Sequence, residues 1–203
     1  MSGVGTFGEA DAGEDPFALF DTWFAAAAAV MADPEAMALA TVDGDGRPGV
    51  RMVLLKRWDH SGFVFHTNFA SAKAHALDAT GRAALVWHWT PLGRQVRVEG
   101  TATRIADAEA DAYFATRPRG AQLGAHASRQ SAVIASRDEL EARVAEQRRR
   151  FADQPVPRPP WWGGYRVAPV SLEFWQHRAD RLHDRLRFLT AVDGRWQRVR
   201  LQP

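Results

Sequence analysis

Between residues 37 and 105 the apolar side chains recur at every second position, and the gaps between most of these runs are too short for a crossover helix. "MALATV" (37–42), "GVRMVLLKRW" (49–58), "GFVFHTN" (62–68), "RAALVWHW" (82–89) and "RQVRVEGTATRI" (94–105) read as strands. A period of two sends alternate side chains to opposite faces of a sheet. The turn clusters "DGDGRP", "DHSG" and "TPLG" separate neighbours, and such short links join antiparallel strands, since a parallel pair needs a dozen residues or more. One helix interrupts the series, "SAKAHALDAT" (71–80), with Ser71 as its cap and Gly81 beyond its end. Strand and helix do not alternate regularly, which argues against a doubly wound sheet. The expected class is mainly β with peripheral helices (α+β): an antiparallel, Greek-key-like barrel with helices at its rim.

The flanks complete this plan. Residues 1–14 are Gly-, Ala- and acid-rich and are expected to form a disordered tail, leaving 15–203 as a single domain. Asp15-Pro16 opens a helix to about Ala32, with Phe17, Phe20, Trp23, Phe24 and Val30 as its apolar side. "DAEADAYFATRP" (107–118) is a helix stopped by Pro118, and "SRDELEARVAEQRRRF" (136–151) starts with a capping box of Ser136 and Glu139. The proline-rich "ADQPVPRPP" is an extended connector. "GGYRVAPVSLEFWQ" and "RWQRVRLQP" read as further strands, and no internal repeat is present.

Composition removes several kinds of chemistry. With no cysteine there is no disulfide, no thiolate nucleophile and no cysteine-ligated zinc or iron–sulfur site. The longest strictly apolar run, Trp23–Ala32, is far short of the ~20 residues of a membrane span. The first basic residue is Arg47, which argues against a secretory leader. A cytoplasmic protein is expected. The net charge of +2 and the lack of a concentrated basic stripe do not suit a nucleic-acid binder. Of 26 basic residues only two are lysine, Lys56 and Lys73. Lysine offers a compact point charge on a flexible stem, which arginine does not reproduce.

Three stretches could carry chemistry. In "RMVLLK" a strand would send Arg51 and Lys56 to opposite faces, which also describes a buried strand with charged ends. "SAKAH" joins Lys73 to the free amides of a helix start, suiting either a phosphate or an ordinary cap. "RADRLHDRLR" (178–187) is ambiguous. As a helix it gathers Leu182, Leu186 and Leu189 on one side; as a strand it aligns Arg181, His183 and Arg185 on one face. Periodicity alone leans to the helix.

In order along the chain, "RMVLLK", "SAKAH", "RQVRVEG", "YFATRPRGAQLGAHASRQS", "WWGGYRV", "EFWQ", "RLHDR" and "RLQP" resemble pyridoxine/pyridoxamine 5′-phosphate oxidases. The resemblance covers about Asp15 to Pro203 and turns "RLHDR" into a strand-like functional stretch. It implies an FMN-binding split β-barrel homodimer with FMN at the subunit interface. Such a protein converts pyridoxamine or pyridoxine 5′-phosphate to pyridoxal 5′-phosphate and passes electrons to oxygen, with no metal.

Position by position, the resemblance implies that Arg51, Thr67, Lys73, Gln130 and Ser131 hold the FMN phosphate and ribityl chain. Met52, Val53, Leu54, Leu55, Lys56 and His66 belong to the same cofactor set. Gln95, Trp175 and Arg185 would meet the flavin rings. Lys56, Tyr113 and Arg117 would bind the substrate phosphate, with Arg181 and His183 as catalytic residues at the substrate ring.

The chain also departs from the family pattern. Ala72 replaces a phosphate-binding arginine, Ala121 a serine, His66 a tyrosine and His177 a glycine, and no basic segment precedes Arg47. The resemblance leaves two other functions open: a split-barrel oxidase of another substrate, such as a phenazine precursor, and a non-catalytic flavin or pyridoxal phosphate binder.

Overall fold

The computed structural model describes residues 6–203. Nine strands form one antiparallel sheet: β1 (Ala36–Val42), β2 (Pro48–Leu54), β3 (Arg57–Asp59), β4 (Gly62–Asn68), β5 (Arg82–Trp89), β6 (Arg94–Arg104), β7 (Trp162–Gln176), β8 (Asp184–Thr190) and β9 (Trp196–Arg200). The order is β2-β1-β5-β6-β7-β4-β3, with β8 between β7 and β9. Strands β2 and β3 therefore stand at opposite ends of the path, yet only Leu55 and Lys56 separate them. The three Cα–Cα steps from Leu54 to Arg57 reach about 11 Å at most, so the two ends of the sheet must meet and the sheet curls into a split barrel. At this seam the Leu55 N–H donates to Glu35 O (2.9 Å) and the Lys56 N–H to Val64 O (2.8 Å). The single strand expected over 49–58 is thus two strands bent at the closure.

Strand β7 sets the split. Residues Trp162–Val167 pair with β4, and Ser171–Gln176 pair with β8, while β6 runs along the other side. A register shift at Glu99/Gly100 accompanies the crossing from one partner to the other. Alternation supplies the interior: Met37, Leu39, Phe63, Phe65, Leu85, Trp87, Val96, Val98, Val167, Leu172 and Phe174 are all buried.

Helix α2 (Pro16–Ala28) closes one barrel end, its N-terminus capped by Asp15, which accepts from the Phe17 N–H at 2.9 Å. Phe20 lies within 5.0–6.0 Å of the rings of Phe63, Trp87, Trp58 and Trp89. The helix ends at Ala28 rather than near Ala32, because Asp33-Pro34 requires extended chain ahead of β1. Val30, expected on the apolar side, is exposed.

Helix α3 (Ala72–Thr80) has the expected Ser71 cap and Gly81 stop, the latter at φ 64°. Helices α4 (Asp107–Thr116), α5 (Arg119–Ala127) and α6 (Arg137–Phe151) form a side layer around Phe114, Leu123, Phe151, Val156 and Trp162. The small-residue sequence of α5 carries no apolar stripe long enough to announce a helix.

Two further expectations are corrected. Of the tail 1–14, residues 1–5 lie outside the described residues, but the rest packs. Helix α1 (Glu9–Ala12) follows a buried Phe7 whose ring lies 4.9 Å from that of Trp23, and both Glu9 carboxylate oxygens accept from Arg200 at 2.8 Å. Composition hid one aromatic anchor. "RADRLHDRLR" is neither one helix nor one strand. A single 3-10 turn spans Ala179–Arg181, with Asp180 and Arg181 at φ 54° and 62°, and β8 begins only at Asp184. Arg181 therefore does not share a strand face with Arg185.

Gly62 has a φ of 126°, and a Cβ there would overlap the Val167 carbonyl of the neighbouring strand. Gly46 has a φ of 82° with open space around it. Replacing each by alanine separates the two penalties. Gly46→Ala should cost about 1 kcal/mol of backbone strain, and Gly62→Ala about 2 kcal/mol or more, read from urea unfolding midpoints.

Candidate active site

The seam carries Lys56 on its outer side, while Leu55 turns into the core. Beside it, β2 supplies Arg51, β4 supplies His66 and Thr67, and the first turn of α3 supplies Lys73. The end of α4 contributes Tyr113, Arg117 follows it, and the segment after α5 adds Gln130 and Ser131. Together with Met52, Val53 and Leu54 these residues line one cleft of about 970 Å³. Ala72 and Ala121, two of the family departures, border the same cleft, as do Asn68 and Trp162, which sequence reasoning did not assign to it. Leu55 is the one member of "RMVLLK" whose side chain stays out.

Within the cleft the polar groups are pre-arranged. Arg51 Nη1 donates to Leu39 O (3.0 Å) and Thr41 Oγ1 (2.9 Å). Lys73 Nζ donates to Thr67 Oγ1 (3.2 Å) and Gln130 Oε1 (3.1 Å), and Thr67 Oγ1 donates to the same Gln130 oxygen at 3.0 Å. The Ala72 N–H points to Ser131 Oγ at 3.3 Å.

Charge is strongly one-sided. Among the described residues none of Arg51, Lys56, Lys73 and Arg117 is ion-paired with a carboxylate, whereas Arg158, Arg166 and Arg185 all are. Burial, and then the nearby Arg51, push the Lys73 ammonium below its ordinary pKa, and burial does the same to Arg51 and Arg117. Arg117 Nη1 is buried without a hydrogen-bond partner, and its guanidinium lies 4.6 Å over the Trp162 ring. Four unneutralised cations around one cleft repel each other, and an anionic ligand relieves that repulsion.

His66 sits at the centre of an aromatic stack, 4.0 Å from Tyr113 and 5.2 Å from Trp162, with interplanar angles of 19° and 12°. Its strand neighbour is Gly164, where a Cβ would come 3.0 Å from the imidazole. Neither ring nitrogen has a partner. Burial, with Arg117 and Lys56 adding repulsion, holds its pKa down at about 4.

The remaining expected residues lie elsewhere on the chain. Gln95 pairs with Trp175 and Trp175 with Arg185, which makes one lateral row across β6, β7 and β8. Their neighbours Val96, Phe174 and Leu186 fill the core, so the row faces outward. Glu173, on the same face and only 3% exposed, accepts from Arg185 and Arg187 at 2.8 and 2.9 Å. Sequence reasoning did not pick out Glu173, although its position two residues before Trp175 puts it on that face. His183 lies 4.5 Å from the Trp175 ring, and Arg181 is exposed. None of these five expected residues lines the cleft of its own chain. Arg166 is likewise outside it, paired with Asp59 at 2.7 Å.

A curled antiparallel sheet with a carboxylate-free cationic cleft at its seam defines a split-barrel protein built to hold anionic ligands. Residues 24–150 match the family model described as pyridoxamine 5′-phosphate oxidase, and residues 162–203 match the pyridoxine 5′-phosphate oxidase C-terminal dimerisation region. The chain is 57% identical over 196 residues to the pyridoxine/pyridoxamine 5′-phosphate oxidase of Rubrobacter xylanophilus, covering 96% of this chain and 90% of that protein. With the protein of the same name from Cupriavidus necator it shares 52% over 201 residues, covering 98% and 94%. Among solved structures, PhzG from Burkholderia lata in complex with tetrahydrophenazine-1-carboxylic acid superposes with a TM-score of 0.93 at 34% identity, over 100% of both chains. The chain belongs to the pyridoxamine 5′-phosphate oxidase family and is an oxidoreductase of that type, and the family points to a flavin cofactor.

His66 generates a prediction with a defined sign. Its folded pKa of about 4 lies below the ordinary 6.5, so between these values the unfolded chain binds more protons than the folded one. Stability should therefore fall as pH drops from about 6.5 towards 4. His66→Phe should flatten this part of the profile, measured as melting temperature against pH. Asp59, which its partners Arg57, Ser61 N–H and Arg166 hold at about 2 despite burial, acts only at more acid pH.

Proposed function

We propose that this protein is an FMN-dependent oxidase that converts pyridoxamine 5′-phosphate and pyridoxine 5′-phosphate to pyridoxal 5′-phosphate, with oxygen reduced to hydrogen peroxide. The observation that carries this reading is the cleft with four cations and no carboxylate partner. FMN and substrate each bring a phosphate dianion, and the donors fall into two groups. Arg51, Thr67, Lys73, Gln130 and Ser131 suit the cofactor phosphate and ribityl hydroxyls. Lys56, Tyr113 and Arg117 suit the substrate phosphate. The donor set therefore fits FMN, although Ala72 brings no side-chain charge to the N-terminus of α3.

Each side chain has a physical task. Lys73, already tied to Thr67 and Gln130, presents its remaining N–H to an incoming oxyanion at little extra cost in side-chain freedom. Arg117 is held over the Trp162 ring, which restricts its fork before a phosphate arrives. The stack of Tyr113, His66 and Trp162 forms an apolar wall that excludes water and strengthens the neighbouring charges. The flavin supplies the two-electron acceptor chemistry, and oxygen takes those electrons onward. Gln95, Trp175, Arg181, His183 and Arg185 lie outside the cleft of their own chain, so under this reading a second copy brings them to it. The match to a dimerisation region supports such a homodimer. The catalytic pair is Arg181 and His183, set at the substrate ring.

A second reading has its own support. The superposition on PhzG, solved with tetrahydrophenazine-1-carboxylic acid, favours a carboxylated polycyclic substrate in the same fold. Ala121, where a phosphate-binding serine is common, leans the same way. Retention of Lys56, Tyr113 and Arg117 favours the phosphate. A non-catalytic binder has no use for both Arg181 and His183.

Purified protein supplied with FMN should oxidise pyridoxamine 5′-phosphate with uptake of oxygen and release of peroxide. Flavin binding without turnover of this substrate would overturn the reading. A charge-assisted hydrogen bond contributes about 1.5–3 kcal/mol. Lys56→Ala should therefore raise KM for the phosphate substrate about 10–100-fold while FMN stays bound, and Lys73→Ala should weaken FMN retention instead.

A further inference from the structure

The turn between β7 and β8 is built on a fixed base. At its start the His177 N–H donates to Gly93 O at 2.7 Å, and Gln176 Nε2 donates to Leu92 O and Gly93 O at 3.1 Å each. The chain then reverses through Asp180 and Arg181, two consecutive non-glycine residues in the sparsely populated left-handed region. That reversal brings the Arg178 N–H onto His183 Nδ1 at 3.1 Å. A ring nitrogen that accepts an N–H carries a lone pair, so the proton of the neutral imidazole resides on Nε2.

The surroundings of His183 also disfavour a second proton. The His177 ring lies 5.2 Å away and the Trp175 ring 4.5 Å away. Arg181 stands in the same turn. The carboxylate that could attract a proton, Asp184, is engaged by Arg200 Nη1 (3.1 Å), the Phe7 N–H (3.3 Å) and Arg178 Nε (3.6 Å). Burial, then His177, then Arg181, push the His183 pKa downward. His177 is a departure from the glycine common at this place in the family pattern, so this flank of His183 is a property of this chain.

We propose that His177 and the Arg178 amide are positioning groups that hold His183 as the neutral Nε2–H tautomer, so that it meets the substrate as a hydrogen-bond donor and not as a cation or a base. The substrate atom opposite is then an acceptor, an oxygen or an unprotonated ring nitrogen. This rests on the proposed placement of His183 at the substrate ring.

The test is nitrogen-15 spectroscopy of the histidines in the full-length, FMN-loaded protein, with the His183 signals assigned by their loss in His183→Gln. The Nε2–H pattern is expected, with a titration midpoint below the ordinary value of about 6.5. In His177→Gly the midpoint should rise towards that value, and the acid limb of the kcat/KM profile should move up with it. His177→Gln, which keeps bulk but carries no charge, should do the same and covers the case in which the glycine variant folds poorly. An Nδ1–H tautomer, or a midpoint that neither replacement moves, would overturn the proposal. The expected tautomer and shift in a protein that does not oxidise pyridoxamine 5′-phosphate would sink the functional reading and leave the positioning role standing.

Discussion

The closure at Leu55 and Lys56 is the constraint on which the rest depends. Two residues must connect strands at opposite ends of the sheet order, and the backbone can do so only if those ends lie side by side. Once the sheet is closed, alternation decides which side chain goes where. Leu55 joins the core, and Lys56 is left at the mouth of the cleft with Arg51 on one side and β4 on the other. The same bend that closes the barrel therefore places one of only two lysines in the chain on the cationic cleft. Barrel closure and the shape of the cleft share a single local geometry.

Electrostatics separates the site from the rest of the surface more clearly than residue type does. The chain is rich in arginine, and away from the cleft many arginines meet acids: Arg158 with Asp107 and Asp111, Arg166 with Asp59 and Glu109, Arg185 and Arg187 with Glu173. In the cleft Arg51, Lys56, Lys73 and Arg117 have no such partner among the described residues. A partly buried cation without a counter-charge costs stability in the free protein. Such a cost is recovered when an anion binds, so the arrangement trades stability of the empty state for affinity.

Much of this was legible in the sequence, and the limits have physical causes. The period-two runs locate β1, β5 and β6 almost to the residue, because half-buried strands impose alternation on their side chains, while β4, buried on both faces, is marked by its aromatic and β-branched run between turn residues. Ser71, Gly81 and Ser136 marked helix ends through backbone chemistry that needs no tertiary context. The break at Leu55–Lys56 was invisible, since both halves of "GVRMVLLKRW" alternate correctly and only barrel closure bends them. Phe7 was lost in a segment of small and acidic residues because one aromatic anchor leaves no periodic trace. Helix α5 was missed because its burial comes from neighbouring layers. Periodicity leans to a helix over "RADRLHDRLR" and the resemblance to a strand, and neither reads out the two left-handed residues Asp180 and Arg181.

The resemblance named residues in two places, and the structure shows why no pattern in the sequence could join them. Residues from β2, β4, α3 and the loops flanking α5 converge on the cleft within one chain. Gln95, Trp175 and Arg185 instead form a row on the outward face of three neighbouring strands, with Glu173 fixing the arginine from below. An outward row of an amide, an indole and a pre-paired guanidinium is costly to order if it only meets water, because each side chain loses rotamer freedom without burying area. Under the proposed function the row is one half of a site whose other half is the cleft of a second copy. Under that proposal the ion pairs of Glu173 matter for more than local stability, since they hold Arg185 at a fixed angle before the partner and the ligand arrive.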